Sequence, residues 1–570
     1  MSKKAMDTNC RSVQIGADMI IDRESNIYGR SLTIDHNGTF NGDLTVNGSI
    51  IVNPQLPQSV VDNVNTLATT TYTYYGVPET ILEQPLLRLT PADYADGIGS
   101  VDGSLPNPRA ISNHVVAQPV EEIVLNEFKS TDMFWLFGQI LDHDLDFTPS
   151  GSEAMNIPVP TGDPYFDPAS TGTVEINFNR SKPVHGSGVT TPREFFTEIT
   201  YELDLSSVYG SCLMRYNWLR EFWKGRMKTG MGASLPIIQP NDLPSVCGNE
   251  GPAGRKSYMA GDVRANENTA LLSLHNTHVR EHNYWANAIY SLNKSFSDEK
   301  IFQLARLQVI SQNQSIIYNE FVPLLLGPNA LPAYTGYKSG VTPQVSLEFA
   351  SCAYRLGHSL LSEVLLRQNN DGTTTEPYGN LQLLDAFFAP DKYNNYGDIG
   401  PLLRGMCRQI CQRVDTKVVN AVRNFLFGPP GAGGHDLAAL NIQRGRDHGL
   451  SKYNAARVAF GMSAKANFND ITSDTALASA LSSAYGGDIS KVDMWVGGLA
   501  ENKVSGSQVG ELFQHILVDQ FTRSRDGDPL FYKNNLPASQ VTYIDSIRLR
   551  DVIERNTCAA NLQEYVMKLD

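Results

Sequence analysis

The sequence has little of what several classes of protein require. Seven scattered cysteines in 570 residues are too few for a disulfide-built fold, and no Cys-X-X-Cys pair indicates a zinc ribbon. No stretch approaches the roughly 18 consecutive apolar residues of a membrane-spanning helix. Basic residues number 46 against 60 acidic ones, which argues against nucleic-acid binding as the main function. The opening MSKKAMDTNC has no apolar core, so we expect no secretory signal.

The remaining composition is that of a chain with a large core, because 41% of the residues are apolar and 19% are charged. Length alone predicts about four domains at about 150 residues each. The pattern of apolar residues predicts fewer domains. Helical periodicity dominates from residue 77 onward, so we expect a mainly α fold with one large domain over residues 77–570. The clearest helical patterns span residues 270–292, 301–325, 346–367 and 401–427.

The N-terminal region has a different texture. Four short β-type runs, beginning at Met19, Leu32, Leu44 and Ile50, are separated by Asn-Gly pairs typical of tight turns. The pattern predicts a small β-repeat segment over residues 1–53, either a β-meander cap or an oligomerising or anchoring stalk. The runs resemble repeats of viral and phage fibre proteins. Residues 54–76 are rich in Pro, Thr and Asn and predict a linker.

Four segments of the helical part concentrate polar residues. In FGQILDHDLDFTP, a helix would place Gln139, Asp142 and His143 on one face and turn Asp144 away. A His flanked by carboxylates in an apolar helix is costly to bury without a function. The other three segments are AGDVRANE with Arg264 and Glu267, YRLGH with Arg355 and His358, and LNIQRGRDHGL with Asn441 and Arg444. Each segment alone is more often a salt-bridged helix than a site.

Together and in this order, these segments resemble the animal-type haem peroxidases of the peroxidase–cyclooxygenase superfamily. The resemblance extends from about residue 80 to 560 and includes PREFFTEITYELDLSSVYGS, REHN, VDMWVGGL and DQFTRSRDGDPLF. It implies haem b, with His358 as the iron ligand and Asn441 as the hydrogen-bond partner of that histidine. Asp142 and Glu267 match positions that form ester bonds to haem. Arg444 matches a partner of a haem propionate, and Arg355 fits the peroxidase branch.

The resemblance also implies the reaction. His143 would transfer the proton of hydrogen peroxide, Arg264 would stabilise the developing negative charge, and Gln139 would complete the pocket. A ferryl intermediate would then oxidise halide, pseudohalide or a small aromatic donor. We also expect Ca²⁺, with five ligands from oxygen-bearing residues. These ligands are Asp144, Thr200, Glu202 (through its backbone), Asp204 and Ser206.

Three alternatives stay open at this stage. The first is a non-catalytic surface or adhesion protein attached through the N-terminal repeats. The second is a fatty-acid dioxygenase, which is disfavoured because Arg355 stands where such enzymes have a radical-forming Tyr. The third is a zinc hydrolase built on the HxxEH pattern of His278 and His282.

The sequence features point to two different cellular locations. The family and the fibre-like repeats favour an extracellular, surface or virion-associated location, whereas the missing secretory signal favours the cytoplasm. Secreted relatives pair a Cys near Cys247 with a second Cys where this chain has Ser257, so we expect that disulfide to be absent. The repeats also predict self-association or attachment to a particle.

Overall fold

The computed structural model describes residues 56–570 except for 81, 120–122, 239–247, 252–256 and 395–398. Before residue 56 it describes only the backbone of five short strands. The described body is mainly helical, as the periodicity predicts. Its helices are α1 Gln58–Thr69, α2 Pro108–Ile111, α3 Asp132–Leu145, α4 Ser206–Tyr209, α5 Leu213–Leu219, α6 Thr269–Leu292, α7 Asp298–Ile316, α8 Val322–Leu326, α9 Leu347–Ser351, α10 Pro390–Asn394, α11 Gly400–Arg408, α12 Asn420–Arg423, α13 Leu437–Asp447, α14 Tyr453–Ala459, α15 Phe468–Ile471, α16 Thr475–Ala484, α17 Met494–Ala500, α18 Glu511–Asp526, α19 Tyr532–Asn535, α20 Ala538–Asp545 and α21 Leu549–Asn556.

Shorter elements complete the body. Single π-helical turns span Ser112–Val116 and Ile317–Phe321. Turns of 3₁₀ helix span Met231–Ala233, Ala353–Ser359, Leu383–Asp385 and Ile489–Lys491. The strands of the body form two-stranded antiparallel pairs. These strands are β6 Gln84–Pro85, β7 Ser150–Ala154, β8 Ile157–Pro158, β9 Glu175–Ile176, β10 Asn179–Ser181, β11 Phe196–Thr197, β12 Ile237–Ile238, β13 Ser257–Tyr258, β14 Val364–Leu365 and β15 Leu381–Gln382.

The strands of the N-terminal segment pair in parallel. β1 Ser12–Ile15, β3 Ser31–Ile34 and β5 Ser49–Val52 align in register, and β2 Ile20–Ile21 aligns with β4 Thr39–Phe40. Parallel neighbours cannot be joined by two-residue hairpins. This pairing differs from the meander that the Asn-Gly pairs predict. The Asn-Gly pairs themselves lie outside the described residues.

The segment predicted as a linker is part of the body. It contains α1, whose Val60, Val64 and Leu67 are buried where the helix packs on α6. Asn63 of α1 donates a hydrogen bond to Gln308 of α7 at 3.0 Å. The linker prediction is therefore wrong, because apolar residues at helical spacing outweigh the local Pro and Thr content.

Helix α6 runs through the centre of the body. Asn268 caps its first turn by accepting from the Leu271 amide at 2.8 Å. The helix packs against α1, α3, α7, α11 and α21. One continuous cluster of buried apolar side chains extends from Val60 to Met567, which fits a single large domain rather than four.

Three predicted long helices are subdivided in the structure. The pattern over 401–427 is α11 and α12, with non-helical residues between them. The pattern over 301–325 is α7 followed by a π-helical turn and α8. The pattern over 346–367 is α9 followed by the 3₁₀ turn Ala353–Ser359. A mid-helix change of hydrogen-bond register often marks a functional position. Here the 3₁₀ turn carries His358.

The cysteines are mostly buried thiols, as predicted for Cys407 and Cys411. Cys352, Cys407 and Cys411 are free and buried, Cys212 is also buried, and Cys558 is disulfide-bonded. Cys247 lies outside the described residues. Ser257, at the second position of the family's disulfide, accepts a hydrogen bond from Asn249 at 2.9 Å.

A buried ion network fixes α13, the helix that carries Asn441. The Arg109 side chain is fully buried and donates to Asp163 at 2.7 and 3.0 Å and to Asp436 at 2.7 Å. Asp436 is the N-cap of α13. The Arg109 guanidinium holds the pKa of Asp163 below its usual value, against the effect of burial. Removing the cation would leave two buried carboxylates uncompensated.

We expect Arg109→Leu to lower the free energy of unfolding by about 3–5 kcal/mol, because the partners of a buried ion pair lose their compensation. The matched control is Arg413→Leu, which removes a partly exposed pair with Asp415 at 3.1 Å and should cost no more than about 1 kcal/mol. Urea unfolding followed by circular dichroism measures both. Equal costs for the two variants would contradict this account of α13.

Candidate functional site

The site predicted from α3 forms where that helix faces the 3₁₀ turn Ala353–Ser359. The two elements pack together, and the Tyr354 hydroxyl donates to the Gly138 carbonyl at 3.3 Å. Most residues around them are buried, but several on these two elements and on the loop before α6 keep accessible surface. They therefore border a space that protein atoms do not fill. These residues are Gly138, Gln139, Asp142, Arg264, Glu267, Arg355, Gly357 and His358.

On the α3 side, Asp262 lies between His143 and Arg264. The Asp262 carboxylate accepts from Nε and Nη2 of Arg264 at 2.9 and 2.8 Å, and its Oδ1 lies 3.5 Å from Nδ1 of His143. Burial, with the nearby Arg264 charge, holds the pKa of His143 well below its ordinary value. His143 is therefore a neutral imidazole that can accept a proton.

Sequence reasoning missed Asp262, although it stands in the quoted AGDVRANE segment. Its position two residues before Arg264 lets one carboxylate bind both the backbone amide and the side chain of that arginine. Its own amide donates to the Ser207 carbonyl at 2.9 Å, which joins this loop to α4. Gly261 permits that contact, because a Cβ there would lie 2.4 Å from the Val208 carbonyl carbon.

Gln139 and Glu267 also meet at the space. Gln139 donates to the Glu267 carboxylate and accepts from Asn268 at 3.1 Å. Burial raises the pKa of Glu267 to about 7. Burial and the charge of Asp146 raise the pKa of Asp142 to about 7 as well. Each of these two carboxyl groups is therefore partly neutral near neutral pH.

Across the space, His358 is held by α13. Its Nδ1 lies 2.7 Å from the side-chain amide of Asn441. In the orientation that the structure gives, the Asn441 amide nitrogen donates to Nδ1. A 180° rotation of that amide would let Nδ1–H donate to its oxygen and leave the Nε2 lone pair for a metal. Burial and the charge of Arg355 lower the pKa of His358 to about 3, so the ring is neutral. A Cβ on Gly357 would meet no atom within 4 Å, so the space beside His358 is open.

The two predicted arginines differ in their contacts. Arg355 donates from Nε to the Ala350 carbonyl at 3.0 Å and has no carboxylate partner among the described residues. Arg444 instead donates to Ser181 at 2.8 Å and to Asp447 at 3.0 Å, and burial lowers its pKa to about 10. Arg355 thus forms no direct ion pair among the described residues, although its charge counteracts the rise in the pKa of the nearby Asp142 and Asp146.

The predicted oxygen-rich loop also assembles. Asp144 accepts from the amides of Leu205 and Ser207 at 3.0 and 3.1 Å. Asp204 accepts from the Thr200 hydroxyl at 3.0 Å and the Ser206 amide at 2.8 Å. Ser206 also donates from its hydroxyl to Asp144 at 3.3 Å, so it links the two carboxylates.

The charges of this loop are poorly compensated. Burial and the charge of Asp204 raise the pKa of Asp144 well above its usual value. The only cation paired with Asp204 among the described residues is Arg306, at 3.9 Å. Leu205 adopts a left-handed conformation with φ of 54°, a strain that a bound ligand can offset. Burial, with the charge of Asp204, raises the pKa of Glu202 to about 7.

The histidines of the HxxEH pattern have structural partners. Both ring nitrogens of His282 are used, by the Tyr209 hydroxyl at 3.1 Å and the Gly225 carbonyl at 2.8 Å. Glu281 accepts from Trp285 at 2.7 Å and pairs with Arg555. In the part of the chain that the structure describes, no group of three His, Cys, Asp or Glu side chains could hold a metal ion. The zinc-hydrolase alternative is therefore wrong.

Comparisons with known proteins show the family. The family model for animal haem peroxidase matches residues 81–567. The chain belongs to the animal haem peroxidase family. Peroxinectin A from Dictyostelium discoideum is 34% identical over 79% of this chain and 85% of its own length. The solved structure of peroxidase A from the same organism superposes with a TM-score of 0.78 at 30% identity, covering 88% of this chain and all of that one.

Two further comparisons limit what similarity alone can show, because one relative is much longer than this chain and the other shares only its fold. Dual oxidase 1 from Caenorhabditis elegans is 35% identical over 84% of this chain, and this chain spans 33% of that protein. A fatty acid alpha-dioxygenase from Arabidopsis thaliana shares the fold, with a TM-score of 0.66 at 17% identity over 90% of this chain and 88% of that one. Among the described residues, no helix is both long and apolar enough to span a membrane.

Proposed function

We propose that this protein is a haem b peroxidase that reduces hydrogen peroxide and oxidises a halide, a pseudohalide or a small aromatic donor. The observation that carries the proposal is the neutral His143, held beside Arg264 by Asp262, with a second neutral histidine, His358, held by Asn441 on the facing element. Haem bound in this space would supply the two-electron redox chemistry that no side chain here can supply.

The residues of the α3 side would activate peroxide. His143 is neutral and accepts a proton from one peroxide oxygen, then returns it to the other oxygen as that oxygen leaves as water. Arg264 stays charged throughout and stabilises the negative charge that develops between the oxygens. Asp262 keeps both side chains in place. Gln139 borders the same space and would order water or a small anion.

The other contacts would retain the cofactor. His358 would bind iron through Nε2 while Asn441 orients its ring. Arg355 would compensate a haem propionate, a role that suits it better than Arg444, which is already paired with Asp447. Asp142 and Glu267 are the carboxyl groups from which ester bonds to the haem would form.

Fatty-acid dioxygenation is not favoured. Arg355 stands at the position of the radical-forming Tyr, and the neighbouring Tyr354 directs its hydroxyl to the Gly138 carbonyl. The likeness to the dioxygenase structures is one of fold.

The peroxide step gives the first test. Rapid mixing of the haem-loaded protein with hydrogen peroxide in a stopped-flow spectrometer should shift the Soret absorption band of the protein. His143→Ala should slow the shift by about 10²-fold or more, because a positioned acid–base group contributes that much. The control is His515→Ala, at an exposed residue, which should react like the parent protein. A haem-loaded protein whose spectrum does not respond to peroxide would support the non-catalytic alternative.

We also propose that Asp144, Thr200, Asp204, Ser206 and the Glu202 carbonyl bind Ca²⁺. The support is chemical, because two buried carboxylates with hydroxyl neighbours form a hard-oxygen site whose excess negative charge a divalent cation would neutralise. The site lies next to His143, since Asp144 is the following residue of α3. Calcium would thus stabilise the end of α3 that carries the acid–base group.

Calcium removal is the corresponding test. Purified protein should contain calcium by plasma mass spectrometry, and a chelator should lower its melting temperature. Asp204→Asn should abolish both the metal content and the effect of the chelator. Asp96→Asn is the matched control, because Asp96 accepts a similar set of turn hydrogen bonds from Ile98, Gly99 and Ser100 without a second carboxylate. A chelator-insensitive parent protein without calcium would refute the site.

For residues 1–53 we propose attachment of the enzyme to copies of itself or to a larger particle outside the cell. The short parallel strands are too few to bury a core alone. The disulfide at Cys558 supports an oxidising compartment.

Deletion of residues 1–53 is expected to keep the haem chemistry and lose the higher-order assembly, measured by analytical ultracentrifugation. The deletion stops before α1, because α1 packs on the body. A truncated protein with the same oligomeric state as the full-length chain would contradict the attachment role.

A further inference from the structure

A second cavity lies away from the space between α3 and His358. It has a volume of about 230 Å³ and opens between the π-helical turn Ile317–Phe321 and the loop that ends at Tyr334. Its walls are rich in aromatic rings, with Tyr318, Tyr334 and Phe531 among them. A phenol-sized group fits this volume. The cavity has no role in the peroxide step described above.

Aromatic contacts joined by one hydrogen bond lead inward from this cavity. The ring of Phe531 lies 5.1 Å from that of Tyr334 and 5.4 Å from that of Tyr318. The Tyr318 hydroxyl donates to the Phe521 carbonyl at 2.9 Å. The Phe521 ring lies 5.9 Å from the ring of Tyr354. All these ring separations are within normal aromatic contact.

The inner end of the series is at the haem space. Tyr354 donates to the Gly138 carbonyl of α3 and precedes His358 by four residues in the same 3₁₀ turn. The negative charge of Asp142 contributes to the raised pKa of Tyr354, which places this phenol near a residue that lines the space. An oxidant bound beside His358 would therefore be close to Tyr354.

The outer end has the features of a binding site for aromatic donors. The Tyr334 hydroxyl is buried and has no hydrogen-bond partner among the described residues. The Arg525 guanidinium lies over the rings of Tyr318 and Tyr334, 5.9 and 5.3 Å from their centres. A phenol hydroxyl entering the cavity would supply the missing partner of Tyr334, and Arg525 favours electron-rich rings nearby.

We propose that this cavity is a second donor site, where phenolic or aromatic-amine groups of molecules too large for the haem space are oxidised through Tyr334, Tyr318 and Tyr354. The proposal rests on the proposed peroxidase function. The oxidant is haem that hydrogen peroxide has oxidised by two electrons. The phenylalanines serve as packed bridges, since they are harder to oxidise than tyrosines.

The electron and proton counts balance once two donor molecules have been oxidised. Tyr334 passes one electron inward through Tyr318 and Tyr354, and its phenol proton goes to water in the cavity. The donor then gives Tyr334 one electron and one proton and leaves as a radical. Two donors return the two electrons that one peroxide removed and supply the two protons that peroxide reduction consumes. Tyr318 and Tyr354 each give one electron inward and regain one from the next tyrosine outward. The hydroxyl proton of each shifts within its hydrogen bond as the electron leaves and returns with the next electron, so neither residue changes overall.

The test compares two donors of different reach on the haem-loaded full chain. Iodide can enter the haem space, whereas phenol attached to a soluble dextran can reach only the outer cavity. Tyr334→Phe and Tyr318→Phe should each lower kcat/KM for the dextran-bound phenol by about tenfold or more and leave iodide oxidation unchanged. Tyr337→Phe is the control, because Tyr337 is 40% exposed, lies three residues from Tyr334 and does not line the cavity.

A second readout does not depend on turnover of any donor. After peroxide alone, a nitroso spin trap should form an adduct that peptide mass spectrometry assigns to Tyr334, and Tyr318→Phe should remove it. Parent-like rates for dextran-bound phenol in both Phe variants would overturn the proposal, and so would a parent protein without an adduct on Tyr334 or Tyr318. If either of those results is found while iodide oxidation is intact, the second donor site is refuted and the proposed peroxidase function is not. A parent protein that oxidises neither donor would refute the peroxidase function and, with it, this site.

Discussion

Burying charge inside a helical body is the constraint on which this structure depends. A buried carboxylate or guanidinium is tolerated only with a partner of opposite charge and satisfied hydrogen bonds. Asp262 is the central case, because it compensates Arg264, faces His143 and anchors its loop to Ser207. A single carboxylate thereby sets the positions of both groups that would act on peroxide.

The carboxylates without a full set of partners mark the functional regions. Asp163 is compensated by Arg109 and has a structural role. Asp142, Asp144 and Glu267 are not compensated in this way, and burial raises the pKa of each. These three lie where haem attachment and calcium binding are proposed. The protein's own charge balance is therefore incomplete at the places where a cofactor would complete it.

The sequence was sufficient to predict the helical class and the placing of Gln139, Asp142 and His143 on one helix. Gln139, Asp142 and His143 share a helix because their spacing follows its period, and the match of Asn441 to His358 followed from family motifs. Asp262 was missed because its importance is a matter of tertiary contact rather than spacing. The packing of α1 was missed because Pro and Thr content was weighed above three apolar residues at helical intervals. The parallel strand pairing was missed because Asn-Gly pairs are common to hairpins and to other tight corners.

The proposed function depends above all on His358 being the haem ligand, oriented by Asn441. A haem titration of the purified protein, followed by absorption and electron paramagnetic resonance, tests this ligation. We expect a histidine-ligated ferric haem that is lost in His358→Ala, partly recovered with added imidazole, and kept in His515→Ala. A His358→Ala protein that binds haem with the same spectrum and affinity as the parent would contradict it.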